Sequence, residues 1–235
     1  MSIHVRSEKL SQRVSGLSLI EGHLNKSLNA ILLPYSGKYF RNSQISKQKF
    51  FEECLSLDLS ETSHSFLAER CKLNFHKDMR SSVEYGLELV FGWISEDIIL
   101  AVIKDLGISV ELAGEDRARE FLQPNEIGTT SDFLIKIDGI ARPLEIVFAW
   151  NNHWKNTDKW DLRDSKFRHL VKKGQESLCL GVELPGFQGF LIDMKNDKEL
   201  FIQRINPAWG NKSCYTLSGM QKRLRNIDVV LKELS

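Results

Sequence analysis

The chain has 235 residues, of which 42% are hydrophobic and 27% are charged. This composition is typical of a globular protein and excludes a fibrous or disordered chain. The 32 Lys and Arg residues almost balance the 31 Asp and Glu residues, so the total charge does not indicate a protein that coats a polyanion.

Cysteine usage and hydropathy predict a cytoplasmic protein. The chain has four cysteines and no Cys-x-x-Cys pair, which argues against a zinc ribbon and predicts reduced thiols. The polar first residues and the longest apolar run, 98–103, provide neither a secretion signal nor a membrane span. We therefore expect no membrane association. The cysteines are Cys54, Cys71, Cys179 and Cys214.

Charge is distributed unevenly along the chain. Residues 1–50 carry eight Lys or Arg and two Asp or Glu, residues 51–130 carry seven and sixteen, and residues 151–175 carry seven and three. Basic segments on both sides of an acidic centre suit a cleft that holds a phosphate backbone near metal-binding carboxylates. Ordinary solvated surface charge would give the same pattern.

The first 75 residues are predicted to be helical. Leu17, Leu24, Leu28 and Ile31 recur near helical spacing. The pattern breaks at the Pro and Gly of residues 34–37 and resumes at 46–57. The sequence therefore predicts two parts, a helical N-terminal segment over 1–75 and a core domain over 76–235.

The core domain begins with a long predicted helix and continues in strands. An apolar stripe over 79–106 predicts the helix, and Gly107 provides its stop. The hydrophobic period then changes from helical to alternating. Asp138-Gly139 is typical of the turn of a β-hairpin. The predicted strands are 108–112, 131–138, 143–150, 177–184 and 189–194.

A polar loop and a second helix separate the third and fourth of these strands. The helix is predicted over 162–173 and closes at Gly174. This order of helices and strands predicts an α/β fold with a central mixed sheet flanked by helices.

Two carboxylates on the apolar central strands are candidate functional residues. Asp132 begins one strand and Glu145 lies within the next, where a charged side chain costs stability. If the predicted turn pairs these strands, both carboxylates converge at one end of the sheet. Such a pair suits Mg²⁺ and leaves positions for water and a substrate phosphate. In the alternative interpretation, Asp132 is an edge residue and Glu145 pairs with Arg142.

With these residues in place, the sequence resembles the PD-(D/E)XK nuclease superfamily, and within it a type II restriction endonuclease. The resemblance rests on Ser131-Asp132, the hairpin, Glu145-Ile146-Val147 and the basic helix and strand that follow, over roughly 80–195. It implies a restriction-endonuclease-like core in which Asp132 and Glu145 bind Mg²⁺.

The resemblance also implies an acidic residue on the long helix close to the two carboxylates. Glu88 is the candidate for this catalytic role, and Glu84, one turn away on the same face, is the alternative. A solvated helix face explains either residue equally well.

The third position of the family motif lies two residues after the Glu and is usually a lysine. It orients the attacking water and stabilises charge on the phosphate, but here the position is Val147. Lys136 is a poor substitute because about 13 Å of strand separate it from Asp132. Lys166 is the better candidate, since a helix packed over the sheet can aim a long side chain at the carboxylates. In the alternative interpretation Lys166 is a solvated helix residue.

Two groups of polar residues after Glu145 are candidates for contacts with DNA. The loop 151–155 combines amide, imidazole and ammonium groups that can contact base edges or phosphate, although Trp150 and Trp154 could instead pack this loop on the core. The basic residues of the following helix suit phosphate contacts. The candidates are Asn151, Asn152, His153, Lys155, Arg163 and Arg168.

The resemblance implies a Mg²⁺-dependent endonuclease that cuts double-stranded DNA at specific sites and leaves 5′-phosphate and 3′-hydroxyl ends. Such enzymes commonly act as homodimers on palindromic sites, and the segment 1–75 would then serve dimerisation or embrace DNA. Two alternatives stay open. One is a non-catalytic DNA-binding protein on a degenerate nuclease scaffold, which Val147 favours, and the other is a nuclease specific for junctions or flaps.

Overall fold

The computed structural model describes residues 82–115, 117, 130–149, 152–172, 176–183, 186 and 188–234. The predicted helical segment 1–75 lies outside these residues and stays a prediction. The chain divides after Ile98, and the fold described below belongs to the unit that begins at Ile99.

Helices and strands are mixed along the described chain. The α-helices are α1 (Ser82–Asp105), α2 (His153–Thr157), α3 (Asp164–Leu170), α4 (Met194–Asp197), α5 (Met220–Arg223) and α6 (Ile227–Leu231). The strands are β1 (Ser109–Leu112), β2 (Phe133–Ile137), β3 (Ile140–Ala149), β4 (Lys159–Arg163), β5 (Leu178–Glu183), β6 (Gln188–Asp193), β7 (Ile202–Asn206), β8 (Lys212–Ser218) and β9 (Arg225–Asn226).

The strands form two sheets. The central sheet has the order β1-β2-β3-β5-β6-β9, in which β3 and β5 run parallel and the other neighbours run antiparallel. This is the predicted mixed sheet, and the predicted α/β class is confirmed. A second, antiparallel sheet has the order β4-β8-β7 and was not predicted from the sequence.

The end of α1 explains how the chain enters the central sheet. Gly107 has a φ of 79°, which glycine adopts without the steric cost that a Cβ would add. Its N–H donates to the carbonyl of Lys104 at 2.9 Å, and the N–H of Ile108 donates to the carbonyl of Ile103 at 3.3 Å. This pair of bonds is a Schellman motif, so the predicted stop at Gly107 is confirmed.

The predicted hairpin between β2 and β3 is also confirmed. Ile137 pairs with Ile140, and the two turn residues, Asp138 and Gly139, have φ values of 51° and 81°. Positive φ at both central residues is what a type I′ turn requires, and this turn matches the twist of the strands it joins.

The predicted helix over 162–173 is wrong at its start. Leu162 and Arg163 end β4, and the helix α3 begins only at Asp164 and ends at Leu170. The reason is tertiary pairing, because Trp160 and Leu162 alternate toward the interior and their strand hydrogen-bonds to β8. The predicted loop after β3 also contains the short helix α2.

Aromatic packing joins the two sheets. The ring of Phe190 on β6 lies 5.0 Å from that of Trp154 and 5.1 Å from that of Trp160. Trp154 is therefore a core residue, as the alternative interpretation of this loop expected. Phe167 and Leu170 of α3 belong to the same buried cluster, so packing holds α3 close to the central sheet.

Two of the cysteines lie in this interior. Cys179 and Cys214 are buried free thiols, and Cys54 and Cys71 lie outside the described residues. Every helix within the described ranges is too short or too polar to cross a lipid bilayer.

Candidate active site

The structure brings Asp132 and Glu145 together. Phe133 pairs with Leu144 across the β2–β3 hairpin, so the preceding Asp132 lies beside Glu145. The Asp132 carboxylate accepts a hydrogen bond from the N–H of Ile146 at 2.8 Å, and the backbone of Asp132 hydrogen-bonds the Glu145 carboxylate. The convergence expected from the turn is thus present, with both carboxylates fixed by the backbone of the opposite strand.

Lys166 reaches this carboxylate pair from α3. Its Nζ lies 2.8 Å from Oε2 of Glu145 and donates to the carbonyl of Thr130 at 3.3 Å. The expected approach of Lys166 from a helix above the sheet is therefore observed.

The alternative pairing of Glu145 with Arg142 is wrong. Arg142 donates from its Nη2 to Asp193 at 2.9 Å and from its Nε to the carbonyl of Glu176 at 2.9 Å. Arg142 is therefore bonded to residues at the start of β5 and the end of β6, and Lys166 is the cation that forms an ion pair with Glu145.

Burial dominates the electrostatics of the site. Glu145 is 6% exposed, and its pKa is raised to about 8, first by desolvation and then by the charge of Asp132, while Lys166 opposes the shift. Burial by itself would lower the pKa of Lys166, but the charges of Glu145 and Asp132 outweigh it and raise that pKa. The protonation state of each of these three side chains therefore depends on the charges of the other two.

The site has the charge and the donor atoms for a hard divalent cation. When Glu145 is ionised, as metal binding requires, two carboxylates and one ammonium leave one negative charge in a largely buried place, which a bound cation would offset. The described residues contain no set of three or more His, Cys, Asp or Glu side chains arranged to hold a metal. Mg²⁺ is commonly bound by one or two carboxylates, with waters and substrate phosphates completing its shell. Asp132 and Glu145 fit that pattern.

Val147, the residue at the usual lysine position, has a structural role. It is partly buried and packs against the aromatic core that joins the two sheets. A lysine at this position would bring its charge into the apolar cluster, which is unfavourable. The position therefore favours valine, and the cation of the site comes from another part of the chain.

Two further titratable residues near Lys166 were missed by the sequence analysis. Thr130 donates from its hydroxyl to Glu115. Burial raises the pKa of that carboxyl, but hydrogen bonds, first that from Thr130, outweigh burial and lower the pKa, and the charge of Lys166 lowers it further by a smaller amount. His169 lies one turn after Lys166, and burial, followed by the charges of Lys166 and Lys172, lowers its pKa. The i, i+3 spacing of Lys166 and His169 in the sequence could have indicated that the two side chains are neighbours on one helix face.

The predicted acidic residue of the long helix lies in the expected element. Glu88 and its alternative Glu84 both fall within α1, as predicted, but their side chains lie outside the described part of the structure. The role of Glu88 stays a prediction.

The candidates for DNA contact separate into two places. His153 and Lys155 are exposed on α2, and Asn152 precedes this helix with a φ of 54°. The buried carboxylate of Glu183 accepts hydrogen bonds from the backbone of Trp154 at 3.0 Å and of Lys155 at 3.2 Å, so β5 fixes the start of α2. Asn151 lies outside the described residues.

The two candidate arginines flank the first turn of α3. Arg163 is exposed at the end of β4, with its Cζ 5.8 Å from the ring centroid of Trp209. Arg168 is exposed and donates to Asp164 at 2.8 Å. These contacts leave guanidinium donors of both arginines facing solvent.

We expect Glu145→Gln to remove a pH dependence of stability. The folded protein holds the Glu145 proton more tightly than the unfolded chain does, so this group contributes stability below its ordinary pKa of 4.5 and loses that contribution as pH rises through about 8. Thermal unfolding of both proteins in metal-free buffer should show the parent losing a few kcal/mol relative to the variant across this window. Glu111→Gln, at an exposed strand position, is the control. Parallel pH profiles of parent and Glu145→Gln would contradict the expectation.

Comparisons with known proteins give a similarity at the level of solved structures. The sequence matches no model of a known protein family and no curated protein. Among solved structures the chain is similar to D212, a nuclease from a fusselovirus, with a TM-score of 0.35 and 13% sequence identity. The match covers 63% of this chain and 90% of that chain. A structural similarity at this level carries no argument about function.

Proposed function

We propose that the protein is a Mg²⁺-dependent endonuclease of double-stranded DNA, of the type II restriction class, which hydrolyses phosphodiester bonds to 5′-phosphate and 3′-hydroxyl ends. The observation that carries the proposal is the 2.8 Å contact between Lys166 Nζ and Glu145 Oε2 beside Asp132. It joins a pair of carboxylates suited to a metal with the cation that the motif lacks at Val147.

Each side chain has a defined task in this mechanism. Asp132 and Glu145 would hold Mg²⁺, and the ion when bound supplies charge neutralisation at the phosphate and a lower pKa for the attacking water. Lys166 is anchored to both Glu145 and the Thr130 carbonyl, so its ammonium is fixed before substrate arrives. A fixed ammonium can orient water and stabilise negative charge that develops on the phosphate.

The proposed substrate also indicates a homodimer and the residues that would contact DNA. A duplex target with a palindromic sequence has two-fold symmetry, and a homodimer with the same symmetry would present one site to each strand. The exposed residues of α2, together with Arg163 and Arg168, would contact the DNA.

Incubation of the purified protein with unmethylated phage DNA, in Mg²⁺ or in EDTA, tests the proposal. We expect discrete fragments in Mg²⁺ only, and these fragments should be rejoined by DNA ligase because they carry 5′-phosphate and 3′-hydroxyl ends. Intact DNA after incubation of folded protein with Mg²⁺ or Mn²⁺ would contradict the proposal and favour a non-cutting scaffold. Preferential cleavage of junctions or flaps would instead select a structure-specific nuclease.

A further inference from the structure

The second sheet packs one face on the core, and its opposite face carries exposed charged side chains around the buried Cys214 and Thr216. Trp160 and Leu162 of β4 and Leu217 of β8 point into the core. Side chains alternate along a strand, so the intervening residues point the other way. Strand pairing places Arg163 next to Cys214 and Cys214 next to Arg204. The same registers put four cations on this side, which we call the outer face: Lys159, Arg163, Arg204 and Lys212.

The outer face carries a surplus of positive charge. Its one carboxylate, Asp161, accepts hydrogen bonds from the Thr216 hydroxyl at 2.6 Å and from the Asn206 amide at 2.7 Å. Within the described chain, no carboxylate forms an ion pair with Lys159, Arg163 or Arg204, and all three side chains are exposed. Charges that a fold leaves uncompensated on one sheet face suit a polyanionic partner.

One of these cations is held in place by an aromatic ring. The β7–β8 connection contains a 3₁₀ turn, Pro207–Trp209, followed by Gly210 with a φ of 72°. This turn folds Trp209 back to lie 5.8 Å from the guanidinium of Arg163. A cation–π contact of this length restrains the arginine while its N–H donors stay free for phosphate oxygens.

The outer face is continuous in sequence with the helix that carries Lys166. Arg163 ends β4, and Lys166 lies three residues later in α3. Since the Phe167 ring stacks on Tyr215 of β8 at 3.7 Å, α3 and the second sheet are held together. A backbone phosphate on the outer face would therefore be bound by the same rigid substructure that carries Lys166.

We propose that the outer face, centred on Arg163 and Arg204, binds the sugar-phosphate backbone of duplex DNA and positions it for cleavage at Asp132 and Glu145. The choice of DNA as the partner rests on the proposed function. Of the residues on the outer face, only Arg163 was predicted from the sequence to contact DNA. Phosphate contacts set orientation and register without sequence preference, so specificity would come from other residues.

Equilibrium binding of a fluorescent DNA duplex, measured by anisotropy in EDTA at several salt concentrations, tests this surface. The double variant Arg163→Gln/Arg204→Gln should bind more weakly. Each phosphate contact contributes about 0.9 to the salt slope, so loss of two should reduce the slope of log K against log salt by about 2. Arg163→Lys/Arg204→Lys keeps both charges and should keep most of the slope. Lys136→Gln, which removes an exposed cation from β2, should bind as the parent does.

These measurements distinguish an error in the outer-face proposal from an error in the proposed function. An unchanged affinity and salt slope in the folded glutamine variant, with cleavage intact in the parent, would overturn the outer face and leave the function. Binding with the predicted slopes by a parent that never cuts would support the outer face and contradict the nuclease. Absence of duplex binding by the parent at low salt would overturn the outer-face proposal.

Discussion

Lys166→Met should lower the rate of DNA cleavage in Mg²⁺ by about 10²- to 10³-fold, the range observed when a single charge-stabilising donor is removed from an active site. Methionine keeps the length of the side chain but cannot donate to a phosphate or to water. The Glu145 carboxyl, already with a raised pKa, should then retain its proton more readily. Rates are best measured in single-turnover assays with enzyme in excess.

Two further variants separate catalysis by Lys166 from a structural role. Lys172→Met removes an exposed lysine just after the same helix and should cut at the parental rate. Lys166→Arg keeps a cation and should recover part of the activity if charge is what matters. If Lys166→Met cuts as fast as the parent at equal folded fraction, the ion pair is structural and the missing lysine is not replaced by Lys166.

Gly181→Ala should strongly destabilise the fold. A Cβ at Gly181 would lie 2.1 Å from a ring carbon of Phe190, and that ring is packed against Trp154 and Trp160. Overpacking of a core usually costs about 1–3 kcal/mol, and here the ring cannot move without displacing both sheets. We expect a loss at the upper end of that range or beyond, measured by urea denaturation.

Gly92→Ala is the matched control for this loss. Gly92 lies in α1, where an added Cβ meets nothing within 4 Å, and alanine is the better helix former by about 1 kcal/mol. Its stability should equal or exceed that of the parent. A Gly181→Ala protein as stable as Gly92→Ala would mean that the packing of Phe190 is looser than described.

Much of the central sheet could be predicted because local patterns determine it. The alternating residues of β2 and β3, the Asp138-Gly139 turn and the stop at Gly107 each depend on neighbours close in sequence. One turn then sets the register that places Asp132 beside Glu145. The geometry of the carboxylate pair therefore followed from a short stretch of chain.

The second sheet could not be predicted in the same way. Its strands β4 and β8 are separated by about fifty residues of sequence, and β7 has no buried residue to mark it. Leu162 and Arg163 precede a helix without a break, so a local pattern assigns them to that helix. Only pairing with β8 makes them strand, and that pairing depends on the tertiary fold.

Lys166 shows how far the candidate active site could be predicted from the sequence. The sequence made it a candidate, but its contact with Glu145 depends on how Phe167 and Leu170 seat α3 in the core. The environment of Glu115 and His169 depends on that packing as well. The role of Glu88 stays a prediction.

The most direct test of the account compares Mg²⁺-dependent cleavage of DNA by the parent and by Asp132→Asn. Asparagine can still accept the hydrogen bond from Ile146 but brings no negative charge to the metal. We predict discrete fragments from the parent in Mg²⁺ but not in EDTA, and no fragments from Asp132→Asn at equal folded fraction. Equal cleavage by the two proteins would contradict a metal-dependent active site at Asp132 and Glu145.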